Sequence, residues 1–212
     1  MKKKAVVWII FMILMITGCS PKNNEDLLYD AQKQLNKMES YQCQVEITSI
    51  GNKGSQKYVM KQWFKKPNMY KLEVVYPENL KGKMTIFDGK KAWIYHPVIE
   101  QTWLIKDFVN AEEQNMFLGY FVKNCLNSEE VHISRETIEN EEYLVITTNI
   151  PGNHAYFSKE RVWLHIDSRK PFMMQTFDRQ DQLRIKVKYD VFEYNPRLED
   201  QFFQFKKGII HK

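Results

Sequence analysis

Cys19 is the side chain whose neighbours best equip it for covalent chemistry. It follows a basic start, Lys2-Lys3-Lys4, then twelve apolar residues from Ala5 to Ile16 without charge or proline, then the small pair Thr17-Gly18. That apolar run is too short for a membrane span, which needs about 20 residues, and fits the core of a signal peptide. Ile16-Thr17-Gly18-Cys19 resembles a bacterial lipobox. In such a motif the thiol is alkylated with diacylglycerol and the chain is cut just before the cysteine. Cys19 is therefore the expected lipidation site and the first residue of the mature chain. The alternative is an uncleaved N-terminal anchor with a chance cysteine. Either way the body of the chain faces outward from a membrane.

The other reactive residue types are scattered. His96, His132, His154, His165 and His211 form no H-x-H or H-E-x-x-H spacing, so no metal site is expected. No G-x-S-x-G elbow is present, and eight glycines across the chain build no phosphate-cradling loop. Glu129-Glu130 and the acids between Glu139 and Glu142 flank turns, where solvated charge is a better reading than a pair of acid–base carboxylates. No catalytic residue, metal or cofactor is expected, and the chain reads as a binding protein rather than an enzyme. Cys43 and Cys125 either pair, which a location outside the cytoplasm permits, or stay as two buried thiols. Neither belongs to a C-x-x-C pair, so a redox role is not expected.

The elements around these residues are mostly strands. Removing residues 1–18 leaves 194 of 212 residues and lowers the net charge from +5 to +2, because three lysines leave with no acid. A charge near zero gives no argument for nucleic acid. The expected organisation is a signal peptide at 1–18, a lipidated tether at 19–25 and one domain at 26–212. A domain of this size buries roughly two-thirds of its unfolded surface and needs no disulfide. Residues 26–38 read as an amphipathic helix with Leu27, Leu28, Ala31, Leu35 and Met38 on one stripe. Alternating patterns predict strands at 42–50, 56–65, 70–76, 83–87, 92–95 and 101–105, with Asp88-Gly89 as a strong turn. A helical period appears in Met116, Phe117, Tyr120, Phe121 and Asn124. Further strands are expected at 131–138, 143–150, 161–167, 172–177 and 184–194, with a turn at Asn140-Glu141. Phe202, Phe203 and Phe205 close the domain as an aromatic plug. Eleven strands and two helices make a mainly β, α+β fold. The expected form is an open, curled antiparallel barrel with the helices covering its concave face.

Three stretches carry a family resemblance. Phe64-Lys65-Lys66-Pro67-Asn68-Met69-Tyr70-Lys71 is similar to the strand, proline and basic-residue element of the LolA/LolB-like proteins. Phe87-Asp88-Gly89-Lys90-Lys91-Ala92-Trp93-Ile94-Tyr95-His96-Pro97, followed by Glu100-Gln101, resembles their Asp-Gly hairpin. Asn195-Pro196-Arg197-Leu198-Glu199-Asp200-Gln201-Phe202-Phe203 resembles their closing segment. The carrier branch has an arginine in the strand after the proline, where this chain has Lys71, and a permanently acylated chain cannot shuttle between membranes. Within the fold, the chain resembles the germination lipoprotein GerS group of spore-forming bacteria. That resemblance implies a cell-wall N-acetylmuramoyl-L-alanine amidase of the CwlD type as partner, a role in cortex modification, and a place on the cell or forespore membrane. A lipid- or acyl-chain-binding envelope lipoprotein is the alternative.

Trp63, Phe64, Trp93, Tyr95 and Trp103 fall on neighbouring predicted strands. They either pack the core, line a lipid cavity, or anchor a protein partner. Trp63 and Phe64 are adjacent in a strand and so face opposite sides. Sheet edges offer a further route to a partner, or to a homodimer with a second copy.

Overall fold

A computed structural model describes residues 23–205 apart from 109–111, 129 and 153. Eleven antiparallel strands form one sheet, in the spatial order β6-β5-β4-β3-β2-β1-β11-β10-β9-β8-β7. The first meander runs β1 (Ser40–Gly51), β2 (Gly54–Lys65), β3 (Met69–Tyr76), β4 (Met84–Phe87), β5 (Lys91–His96) and β6 (Gln101–Lys106). The second runs β7 (Val131–Ile138), β8 (Glu141–Asn149), β9 (Lys159–His165), β10 (Pro171–Phe177) and β11 (Leu183–Tyr194). The two meet where β1 pairs β11, with Val45 opposite Tyr189 and Ile47 opposite Val187. β6 and β7 remain as edges, so the sheet is open rather than closed.

Among the described residues two helices lie on one face, here the inner face. Helix α1 (Asn24–Lys37) begins where the Asn23 carboxamide oxygen accepts the Asp26 N–H at 2.7 Å, which satisfies one of the orphan donors of its first turn. Leu27, Ala31, Leu35 and Met38 bury its expected stripe, while Leu28 is half-buried. Helix α2 (Leu118–Asn127) follows a 3-10 turn, Glu112–Met116, and buries Leu118, Tyr120, Phe121 and Val122. The helical period seen in the sequence is thus two pieces, the first too tightly wound to be an α-helix.

Strand alternation sends Tyr41, Cys43, Val45 and Ile47 of β1 inward, together with Phe64, Tyr70, Leu72, Phe87, Leu144, Ile146, Val162 and Val187. Aromatic rings dominate the centre. Tyr41 stacks between Phe64 and Phe192 at 5.5 and 5.0 Å, and Tyr70 lies 4.5 Å from Phe117. A smaller cluster of Tyr143, Val145, Trp163 and Met173 occupies the opposite, outer face of β8–β10. The Glu139-Asn140 turn takes φ of 53° and 67°, one residue before the predicted pair. Two consecutive left-handed residues suit a tight hairpin, and asparagine tolerates that region better than most.

Helix α2 comes very close to the sheet at Gly119. A Cβ there would stand 2.1 Å from Cζ of Phe64, and Phe64 is itself locked in the core. Alanine would raise helix propensity by about 1 kcal/mol, whereas overpacking typically costs 1–3 kcal/mol and a contact this short belongs at the upper end. Gly119→Ala should therefore lower stability by a net ~2 kcal/mol. Urea unfolding checks this; a midpoint equal to or above that of the parent would show that the ring yields.

Candidate functional site

The inner face is crossed by residues 112–127, a segment whose backbone is only partly satisfied by its own helix. The sheet supplies the missing partners from buried polar side chains. Gln62 Nε2 of β2 donates to the Met116 carbonyl at 3.1 Å, and Tyr41 Oη of β1 accepts from the Leu118 N–H at 3.1 Å. Thr176 Oγ1 of β10 donates to the Asn115 carbonyl at 3.4 Å. Thr85 Oγ1 of β4 donates to Glu113 Oε1 at 3.2 Å, and Asn124 Nδ2 donates to Glu160 Oε2 of β9 at 3.2 Å. Each pairing links the sheet to the crossing segment, so that segment is fixed at several points along its length.

Two cavities flank it. One of about 490 Å³ lies between the crossing segment and β1–β4, lined by Ile47, Tyr58, Met60, Leu72, Val74 and Met116, with Glu113, Lys83 and Arg184 among its polar groups. Arg184 is already held there by Asp178 at 2.7 Å and by Asn52 at 3.0 Å. Burial pushes the Glu113 carboxyl above its ordinary range. The other cavity, of about 410 Å³, lies between α2 and the 150–157 loop and is lined by Tyr120, Lys123, Asn124 and Asn127 with Ile150 and Phe157. Beneath it Glu160 is fully buried, and burial raises its carboxyl to about 7 against the lowering pull of the Asn124 hydrogen bond.

Cys43 and Cys125 are free thiols. Burial raises both, Cys125 to about 12 with Glu160 adding to the effect, so neither is a thiolate near neutral pH. Among the described residues no group of three or more His, Cys, Asp or Glu is placed to hold a metal ion, and no helix is long and apolar enough to cross a membrane.

Cys19 lies outside the described residues. The five predicted aromatics are described, and the structure does not bring them into one site. Phe64 packs the inner core against Phe117 and Tyr120. Trp63, Trp93 and Tyr95 are on the outer face. There Trp63, Lys71, Ile86, Trp93 and Leu104 stand in register across β2 to β6. The segment after β11 covers part of this row: Phe202 meets Trp63 edge-on at 5.7 Å, Lys71 Nζ sits 5.1 Å from both rings, and Phe205 lies 6.2 Å from Tyr95. Trp103 pairs Ile94 on the inner side of edge strand β6, beyond the helices, and is 44% exposed. None of the five lines the 490 Å³ cavity. Strand alternation turns Trp63, Trp93 and Tyr95 outward, away from this cavity, and leaves Phe64 and Trp103 on the inner face.

Sequence reasoning missed Gln62, Thr85, Glu113, Asn124 and Glu160. A signal existed for Glu160, since Glu160, Val162 and Leu164 share one alternation and hence one face. No comparable pattern marks the others, because their partners are backbone groups distant in sequence.

Comparison with known proteins follows from this geometry. The family model for sporulation protein YdcC-like proteins matches residues 1–203. The chain belongs to that family. Sporulation protein YdcC of Bacillus subtilis (strain 168) is 17% identical over 201 residues, 94% of this chain and 59% of that protein. An outer-membrane lipoprotein carrier protein of Pectobacterium carotovorum is 29% identical over 102 residues, 46% of this chain and 49% of that protein. The chain thus spans 59% and 49% of the length of these two curated relatives. Among solved structures, the chain is similar to the GerS lipoprotein in the complex with the CwlD amidase from Clostridioides difficile. The identity is 32% and the TM-score 0.50, covering 84% of this chain and 100% of that one. The fold is the open LolA-like one, as the sequence motifs imply.

The buried acid makes stability depend on pH. Glu160 has a folded-state value of about 7 against an ordinary 4.5. Below about pH 4.5 the carboxyl is protonated in both states and folding carries no penalty; stability then falls as pH rises, until the loss is complete above about 7. The gap corresponds to about 3 kcal/mol at most. Glu160→Gln keeps the shape without the charge and should flatten this slope, leaving the variant more stable than the parent at pH 8. Denaturant titrations at pH 5 and pH 8 check this; identical slopes in parent and variant would contradict it.

Proposed function

We propose that this chain is a lipoprotein attached through Cys19 to the cell or forespore membrane of a spore former. There, outside the cytoplasm, it binds and supports a cell-wall N-acetylmuramoyl-L-alanine amidase of the CwlD type, and so serves cortex modification and germination. It is read as a binding protein and not an enzyme, with residues 1–18 as signal peptide, 19–25 as tether and 26–212 as one domain. The observation that carries this reading is the 32% identity, over the whole length of the matched chain, to GerS in its complex with an amidase.

Physical features of the chain favour the same reading. The inner face is largely filled by aromatic rings and by the crossing segment. Apolar side chains still in contact with water gather at edge strand β6, where Trp103, Leu104 and Ile105 are 44%, 50% and 37% exposed. An open edge can add a strand from a partner, and Trp is a frequent interface anchor. Lipid anchoring at two signals holds a protein stably at a membrane, and confinement beside a partner lets a modest interface suffice. The lipid-binding alternative draws on the 490 Å³ cavity, whose size falls in the range of small-molecule sites, roughly 300–1,000 Å³.

Purification of the tagged full-length chain from sporulating cells in mild detergent tests both. Proteins and extractable lipids are identified together by mass spectrometry. A stoichiometric cell-wall amidase without a stoichiometric noncovalent lipid is expected. Bound lipid with no consistent protein partner would replace the proposal with the lipid-binding alternative. For the anchor, Cys19→Ala should leave the chain folded but unprocessed and unlipidated. A mature-sized, membrane-attached band from that variant would refute anchoring at Cys19.

A further inference from the structure

We propose that Glu160 is a protonation-controlled latch that holds the C-terminal half of helix α2 against the inner face of the sheet. The proposal begins from an asymmetry along that helix. Its first half carries Leu118, Tyr120, Phe121 and Val122, all buried, and Tyr41 fixes its first N–H. Its second half has little comparable burial: Leu126 is 68% exposed and Cys125 half-buried. The polar ties between that half and the strands beneath are the bond from Asn124 to Glu160 and a weaker thiol contact from Cys125 to Thr148 of β8.

The tie depends on charge. Asn124 is a neutral donor, and Oε1 of Glu160 has no hydrogen-bond partner among the described residues. Among the described residues the groups packed around the carboxyl include no cation that could hold it ionised. Opposite it in the sheet stand Thr148 of β8 and Thr176 of β10. Tyr189 of β11 and Cys125 of α2 also face it, and burial raises both of these above their ordinary range. Its chain neighbours Lys159 and Arg161 point to the outer face, where Lys159 pairs with Asp181 and Arg161 lies over Trp163 and Phe177. Lys123, Glu112 and His154 line the adjoining cavity.

Protonated, the carboxyl can remain buried beneath Asn124. When it loses its proton to water, the carboxylate requires solvation that one carboxamide does not provide. The nearest space for water is the 410 Å³ cavity that Asn124 lines. Displacing the last turn of α2 joins that cavity to Glu160 while exposing little apolar surface. The first half of the helix stays in place. Raising the pH therefore opens one end of the crossing segment at a lower free energy than the rest of the fold.

Amide hydrogen exchange of the full-length chain in detergent at pH 6 and pH 8, corrected for intrinsic exchange, tests the latch. Protection of residues 123–127 should fall by at least about tenfold between these pH values, the factor expected for one unit of linkage. Protection of β1 and β2, which tracks global stability, should stay well above that of residues 123–127 at both pH values. Glu160→Gln should keep residues 123–127 protected at both pH values. Asn124→Ala, which removes the tie without touching the acid, should leave them exchanging fast at both. Equal protection of the parent at pH 6 and pH 8 would overturn the proposal, as would a parent-like pH response in either variant.

Discussion

An irregular stretch of backbone can lie on a buried sheet face only when something supplies its missing hydrogen bonds. Here the sheet does so from side chains that would otherwise be anomalous in a core. Tyr41, Gln62 and Thr176 are each almost completely buried, and each meets a backbone group of residues 115–118. The dependence is mutual. Without the crossing segment these groups would be buried polar atoms without partners, at about 1–3 kcal/mol each. Without them the segment could not leave helical geometry at Glu112–Met116 and still bring Phe117 against Tyr70. The cavities lie on either side of this line of contacts, so their positions follow from where the polar side chains stand.

The outer face is organised by a different constraint. The chain after β11 returns across it, and Asn195 fixes the return: its side-chain oxygen accepts from the N–H groups of Glu39 and Ser40 at 2.7 and 3.2 Å. Lys65 then holds the Leu198 carbonyl at 2.7 Å and Asp200 at 2.6 Å. This brings Phe202 over Trp63 and traps Lys71 between the two rings. Burial lowers the lysine below its ordinary range, as desolvation of a cation must. The strap reaches Tyr95 through Phe205. Edge strand β6 lies next to β5, and every residue of it is exposed. Exposed apolar side chains there are the consequence of a cover that is one strand too narrow.

Much of this architecture was legible in the chain. Period-two alternation and turn signals located all eleven strands, because most of them have an apolar face against a core and a wetter one opposite. It also separated Trp63 from Phe64 correctly. What alternation cannot do is say what covers each face. Tyr95 shares its face with Trp63, yet it meets Phe205, more than a hundred positions away. The inner polar contacts were hidden for the same reason. Gln62 reads as a polar residue in a half-exposed strand, and only the distant Met116 carbonyl makes sense of its burial. Glu160 was within reach, but the predicted strand begins at Arg161, two residues after the observed start at Lys159.

The filled inner face bears on the two functional readings. A carrier of acyl chains needs an apolar hollow that a lipid can enter without disturbing hydrogen bonds. In this chain the centre of the face is occupied by Phe64, Tyr70, Phe117 and Phe121, each almost wholly buried. A long chain extending past the 490 Å³ cavity would have to lift the crossing segment and strand the polar groups that hold it. Those losses, several contacts at about 1 kcal/mol or more each, oppose the gain from burying a lipid. A protein partner at the β6 edge meets no such opposition, since among the described residues that strand's outward hydrogen-bonding side is unpaired and its side chains are exposed. The physical balance favours association at the edge over cargo in the centre.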